Sequence, residues 1–356
     1  MPIVPLYGHL ALRERLLNAL AGGRLPASLL LHGPAGVGKQ RIALWLGAAL
    51  LCESAERPCG VCQSCRYCAE LAHPDLHWIF PRPRLKDADA SHEDVRQDYA
   101  EAIAERSAAN GLYARPSGSE GIFVSAVRAI VHRAGISPGL ARRKVFIVGD
   151  AERMIPQEGS EFAANAFLKL LEEPPADTTI IVTSSESGAL LPTIRSRVVS
   201  LRASPLSDAE MRKFISDPIV AGRLDGESIP KDLAARLAIA AGAPGELLVG
   251  SERGAAQSSA QKILDAAESG DRAAALRVAF GQGASGARGK FTDTLDALAL
   301  LLHDRTRARV IGGDDVAAER SAQAIDAVER ARELASGNVS PNLVTAQLFR
   351  ALADRG

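Results

Sequence analysis

His32-Gly33-Pro34-Ala35-Gly36-Val37-Gly38-Lys39-Gln40 places three glycines and a lysine at the spacing of a phosphate-binding loop. Glycine at these positions lets backbone N–H groups turn inward around phosphate oxygens, and Lys39 adds a positive charge toward the β- and γ-phosphates. The residue after the lysine should offer a hydroxyl to Mg²⁺. Here it is Gln40, whose amide oxygen suits octahedral magnesium badly. Asp150 stands at the end of the apolar run Val145-Phe146-Ile147-Val148. In a P-loop ATPase such an aspartate supports Mg²⁺, and an acidic residue directly after it orients the attacking water. That next residue is Ala151, and Glu152, one further along, is expected to point elsewhere. Positioned general-base catalysis contributes ~10²–10⁴ in rate, so its loss alone would nearly silence hydrolysis. Gly33, Gly36, Gly38, Lys39, Gln40 and Asp150 therefore read as a nucleotide site, vestigial or still able to hold ATP or ADP, with metal and water handling impaired.

A second chemical cluster is Cys59-Gly60-Val61-Cys62-Gln63-Ser64-Cys65, with Cys52 upstream and Cys68 downstream. Two cysteines with glycine between them form a knuckle whose backbone N–H groups can point at sulphur. Tetrahedral Zn²⁺ needs four thiolates, so either Cys52 or Cys68 must join Cys59, Cys62 and Cys65. An iron–sulphur cluster is the rival, but the wider last spacing and following proline of the bacterial ferredoxin run are missing. Five unligated buried cysteines is the plain alternative. A closed all-sulphur site is expected to brace structure and not to catalyse.

The elements that must position these groups follow from pattern. Ser28 to Leu31 is a short apolar, strand-like run, Ile42 to Leu51 a helix, and Leu6 to Leu20 an amphipathic helix before them. Val145 to Val148 reads as a buried parallel strand. From about Pro83 to Gly118 the chain is polar and alanine-rich, and Asp87 to Asn110 suits a solvated helix without chemistry. Ile122 to Ala134 resumes helical periodicity, and Arg142-Arg143-Lys144 reads as a solvated turn in preference to a phosphate contact. Ser204-Pro205-Leu206 marks an exit from the first domain, and Ser207 caps a charged helix. Ala260 to His303 and Asp315 to Ala353 alternate helical runs with breaks at Gly281-Gln282-Gly283 and Gly312-Gly313.

The chain has 356 residues, more than one ordinary core accommodates, and its 47 % hydrophobic content fits a folded protein. Lys+Arg and Asp+Glu both number 42, which argues against strong autonomous binding to nucleic acid. With no leader pattern and no apolar run near the ~20 residues a bilayer requires, a cytoplasmic protein without membrane contact is expected. All five cysteines lie between Cys52 and Cys68, which in a reducing compartment favours metal over disulfides.

Asn165-Ala166-Phe167-Leu168-Lys169-Leu170-Leu171-Glu172-Glu173-Pro174-Pro175, with Leu191-Pro192-Thr193-Ile194-Arg195-Ser196-Arg197, closely resembles the bacterial DNA polymerase III clamp-loader subunits. These are AAA+ proteins of the gamma/tau and delta-prime type. The P-loop, cysteine knuckle, Asp-terminated strand, sensor strand Thr179 to Thr183 and Ser-Arg fall in the family's order over about residues 1–250, and the likeness thins beyond. The resemblance implies an α/β fold: a RecA-like AAA+ domain over 1–205 with a zinc module at about 52–68 and a surface insertion at about 83–118. A helical lid over 206–252 and an all-α collar over 253–356 complete it.

Within the family, Gln40, Ala151 and a lid segment Gly242-Ala243-Pro244-Gly245-Glu246 without arginine match the delta-prime type, the stator that does not hydrolyse ATP. Lys39 and the loop glycines are retained, and Val198 replaces the usual cysteine after Ser-Arg. The resemblance implies assembly with gamma/tau and delta to place the sliding clamp on primed DNA, as part of a nucleotidyltransferase complex. It implies that Arg197 projects into a neighbour's ATP site, a finger role worth ~10³–10⁵ in GTPase precedents. By residue type alone Arg197 would be a surface arginine at a strand end. Arg195 would share its face if the segment is extended, and takes no role. The zinc ligands carry over as Cys52, Cys59, Cys62 and Cys65, with a shorter first spacing and Cys68 as substitute. The alternatives are a gamma/tau-like subunit with its own turnover and a free-standing zinc module that binds DNA.

Overall fold

The computed structural model describes residues 2–85, 90–116, 120–154, 161–226, 229–248, 250–281, 288–311, 314–336 and 339–353. In chain order α1 (Leu10–Ala21), β1 (Ser28–His32), α2 (Lys39–Leu51), α3 (Gln63–Ala69), β2 (Leu76–Ile79) and α4 (His92–Ala108) come first. Then follow α5 (Val124–Ala134), β3 (Lys144–Val148), α6 (Glu161–Glu172), β4 (Thr178–Ser184), α7 (Pro192–Arg195) and β5 (Val199–Arg202). The five strands form one sheet, ordered β2-β3-β4-β1-β5, and every neighbouring pair is parallel. Leu30 lies opposite Val182 on one side and Ser200 on the other, so β1 is interior and the loop after it leaves the C-terminal edge of the sheet. That edge is where open α/β sheets bind ligands. β3 and β4 are buried at every position, as helices on both faces of a parallel sheet require. This is the RecA-like α/β architecture.

α8 (Asp208–Ile215), α9 (Pro218–Asp225) and α10 (Leu233–Ala240) pack around Met211, Phe214, Val220, Leu224 and Leu247, with Val4 and Leu112 joining them. Each starts at a side-chain cap: Ser207 boxed with Glu210, Asp217 before Pro218, and Asp232. Each cap satisfies N–H groups that a helix start leaves free. Met1–Pro116 with Glu120–Leu248 form one compact unit, and Val249–Gly356 belong to another. The second unit holds α11 (Gly250–Glu268), α12 (Arg272–Gly281), α13 (Arg288–Ile311), α14 (Asp315–Ser336) and α15 (Pro341–Ala353) around Ile263, Leu295, Leu298, Val328 and Val344. Of the expected glycine breaks, Gln282, Gly283, Gly312 and Gly313 lie outside the described residues, as does Asp87. Among the described residues no helix is long and apolar enough to cross a membrane.

Three local expectations change. α4 is not simply solvated: Val95, Tyr99 and Ala102 are buried in the main core, where the helix packs on α5 and Tyr99 lies against Phe80. Lys144 is no part of a solvated turn. It begins β3, fully buried, and its Nζ donates to the carbonyls of Ala134 (2.7 Å), the last residue of α5, and Ile136 (2.5 Å), just past it. A cation there meets the negative end of the helix. The Ser-Arg segment is not extended: α7 turns through Arg195, so Arg195 and Arg197 do not share a face as strand residues would.

Candidate nucleotide and metal sites

Gly38 opens α2 in the left-handed conformation, with φ of 96°, at the point where the chain must reverse from loop to helix. Gly33 is also irreplaceable: a Cβ there would stand 2.1 Å from the Ala203 carbonyl oxygen. Lys39, only 5 % exposed, curls back onto its own loop. Its Nζ donates to Gly33 O (3.0 Å), Pro34 O (2.8 Å) and Ser185 Oγ (3.0 Å). Burial pushes the ammonium down to about 8, against the pull of Asp150 and Glu152. All three of its donors are taken.

Gln40 lies between Asp150 and Trp78. Its Nε2 donates to Asp150 Oδ2 at 2.9 Å, and its Oε1 accepts from Trp78 Nε1 at 2.9 Å. Gly149 allows this, since a Cβ at that position would meet the Gln40 amide at 2.5 Å. Burial, followed by repulsion from Glu152, raises the Asp150 carboxyl above its ordinary range, while Lys39, Arg153 and the Gln40 hydrogen bond oppose this. Glu152 does not point elsewhere. Ala151–Arg153 is a tight 3₁₀ turn that brings Glu152 back across the strand ends, where its Oε1 accepts from Ser185 N at 2.9 Å. Ser185 thus joins Lys39 to Glu152, and the other Glu152 oxygen is buried without a partner.

Sequence reasoning missed a second layer. The Arg106 guanidinium from α4 lies 3.3 Å from the ring centre of Phe80, 4.0 Å from Tyr113 and 4.5 Å from Trp78. Because Trp78 also holds Gln40, α4 is tied to Gln40 through one ring. Arg115 pairs with Glu246 of the lid turn Pro244–Leu247, and Gly245 N donates to Gly36 O at 2.9 Å. The turn therefore meets the glycine loop with a carboxylate, in the segment that the sequence reading found to lack an arginine. His9 closes the other side through Nε2 and Val37 O at 2.8 Å. Only the surplus of aromatics around Trp78 and Phe80 hinted at this in the sequence.

The structure brings Cys52, Cys59, Cys62 and Cys65 together, with all four sulphurs within 4.8 Å of one another. Cys59 to Cys65 is 3.9 Å and Cys52 to Cys62 is 3.8 Å. A tetrahedral metal with bonds of about 2.3 Å to sulphur separates its ligands by about 3.8 Å, so the cage fits a metal ion. Cys62 N and Cys65 N each donate to the sulphur three residues back at 3.4 Å, the knuckle geometry that favours thiolate. The Cys62 and Val61 N–H groups hold the Cys59 thiol down at about 6. Cys68 is outside this group, buried in the main core, where burial pushes its thiol up to about 12.

Arg197 follows α7 and is half-buried. Its Nη2 lies 2.5 Å from Glu172 Oε1, and its Nη1 donates to Thr193 O at 2.8 Å.

The sequence profile of the family described as "DNA polymerase III, delta subunit" matches residues 8–207, over half of the chain. The chain is 34 % identical over 200 residues to the "DNA polymerase III subunit delta'" of Pseudomonas aeruginosa, covering 55 % of this chain and 49 % of that protein. It is 33 % identical over 181 residues to the "DNA polymerase III subunit gamma/tau" of Mycobacterium tuberculosis, covering 50 % and 24 %. Matches thus span about half the length, or less, of these curated relatives. Among solved structures, a DNA polymerase III gamma subunit-related protein from Thermotoga maritima aligns over 97 % of this chain and 98 % of its own. Its identity is 17 % and the TM-score 0.46.

Proposed function

This chain belongs to the DNA polymerase III delta-prime family, and we propose that it acts as the clamp loader's stator, a degenerate ATPase that lends Arg197 to a neighbour. In this reading it assembles with gamma/tau and delta subunits, which together place the sliding clamp on primed DNA. The observation that carries the reading is the Gln40 bridge from Asp150 to Trp78. Where hydrolysis needs a hydroxyl and an aspartate to share a magnesium ion, Gln40 hands an N–H to the aspartate directly. Lys39, with its donors on the loop and Ser185, would have to release them to meet a phosphate. Glu152 orients a backbone N–H and not a water. These residues hold a fixed shape; nucleotide, if admitted, would be retained and not turned over.

Zinc is the metal proposed for Cys52, Cys59, Cys62 and Cys65, since a closed all-thiolate cage suits that ion and leaves no open coordination position. It would supply rigidity between α2 and α3. Arg197 would contribute charge to the γ-phosphoryl of an adjacent gamma/tau subunit, where a guanidinium stabilises the leaving group. The test is steady-state ATPase of the reconstituted loader with clamp and primed DNA, comparing Arg197→Ala with the parent, beside the isolated chain. A silent isolated chain, with a variant loader that assembles but turns over ~10³-fold more slowly, is the expected result. Magnesium-dependent hydrolysis by the isolated chain would move the assignment to the gamma/tau type.

A further inference from the structure

We infer that Glu172 is a positioning residue that parks Arg197 against its own subunit until a neighbour's phosphate draws it away. This rests on the arginine-finger reading above.

Glu172 is the last residue of α6, so its carboxylate stands at the negative end of a helix, where an acid is disfavoured unless a cation compensates it. Arg197 is that cation, with Nη2 at 2.5 Å from Oε1. Nη1 goes to Thr193 O and Ser196 Oγ, at 2.8 and 3.3 Å, and Nε is buried with no partner. A guanidinium binds anions best when two of its N–H groups face one acceptor group. Parked, it leaves one such donor idle; a phosphoryl oxygen pair would engage both. The side chains are 27 % exposed for Arg197 and 45 % for Glu172, so water screens the pair and the hold is weak enough to be reversed. Pairing with Glu172 also neutralises the arginine when no nucleotide faces it.

The inference assigns this side chain two positions: bound inward to Glu172, as in the structure, or outward to an anion on the next subunit. Glu172 sets how often the outward position is sampled before substrate arrives.

The experiment is the ATPase of the reconstituted loader carrying Glu172→Gln, Glu172→Asp, or Arg197→Ala. Each is measured across ATP concentrations, with and without clamp and primed DNA. Glutamine keeps the shape and removes the charge. Parking predicts that E172Q raises kcat without DNA by about two- to fivefold, the range over which a half-exposed ion pair weights an equilibrium. KM for ATP should stay near the parental value, and the stimulation ratio should fall. E172D, retaining the carboxylate, should recover part of the restraint. Parental or lowered DNA-independent kcat in E172Q, with Arg197→Ala still defective, overturns parking and leaves the finger reading intact. Unchanged turnover in Arg197→Ala overturns both. Thermal melts of each free chain identify any loss caused by unfolding, and Glu172→Ala serves as a second charge-removing variant if glutamine destabilises the helix end.

Discussion

Replacing Gln40 by leucine tests the bridge at the centre of the nucleotide loop. Trp78 is 2 % exposed and Gln40 8 % exposed, so water cannot replace the lost amide. The substitution keeps volume but leaves the Trp78 N–H and the Asp150 carboxylate without their partner. An orphaned buried neutral group costs about 1–3 kcal/mol and a charged one more, giving roughly 3–5 kcal/mol in total. For a unit of this size each kcal/mol lowers Tm by about 2–4 °C, so a fall of about 6–20 °C is expected. The effect should depend on pH. The Asp150 carboxyl is already raised by burial and by Glu152, and the Gln40 N–H is one of the groups opposing that shift. Removing Gln40 raises it further. An acid whose folded pKa is raised destabilises the fold above that pKa, and the cost is relieved as pH falls through it. The gap between parent and variant should therefore narrow as pH falls through the raised Asp150 pKa. Thermal unfolding followed by tryptophan fluorescence measures it, since Trp78 reports on the site directly. A gap under about 2 °C, or one that widens in acid, would refute the account.

Three more outcomes follow from the packing. Elemental analysis should find one zinc per chain. Cys52→Ser should lose it and Cys68→Ser should keep it, because the Cys68 sulphur lies in the core and apart from the cage. Arg106→Ala, which strips a cation from three rings, should cost about 2 kcal/mol in urea denaturation and change the Trp78 emission. Gly245→Ala would set a Cβ 2.8 Å from Gly36 Cα, so the lid turn must lift from the phosphate loop. Faster hydrogen exchange in α8 to α10 with little change in the sheet is the expected result, at about 1–3 kcal/mol of local cost.

Much of the site was legible because its residues are contiguous. A glycine loop between an apolar strand and a helix, or cysteines at knuckle spacing, carry their geometry in local sequence. Asp150 could be placed because a strand of unbroken apolar residues ends there. What stayed hidden depends on contacts distant in sequence. Nothing near Arg106 announces that Phe80 and Trp78 will stack on it, and the polarity of α4 reads as solvation although one stripe is buried. β2 escaped for a similar reason: Leu76-His77-Trp78-Ile79 is too short for a clear period and includes a histidine. Glu152 was misjudged because the 3₁₀ turn Ala151–Arg153 redirects a side chain that strand geometry would send away.

The persistence of Lys39 and the loop glycines in a site with Gln40 has a physical explanation that does not involve nucleotide. Gly33 is pressed against the Ala203 carbonyl, so any side chain would push β5's exit away from the loop. Gly36 accepts the lid's backbone N–H, and its missing Cβ makes room for Glu246 and Ala243. Lys39 ties two loop carbonyls to Ser185, and Ser185 ties them to Glu152. Each retained residue thus joins the loop to a different element: the sheet, the lid, or the turn after β3. A stator needs such joints rigid, whereas a turnover site needs Lys39 free to meet incoming charge. Substituting Lys39 by methionine separates the two demands. Loss of the three Nζ contacts should lower Tm by several degrees, about 1 kcal/mol for each hydrogen bond. If the loop serves as a joint, loader turnover should follow the fraction of folded chain; a drop in turnover at full folding would show that Lys39 still faces phosphate.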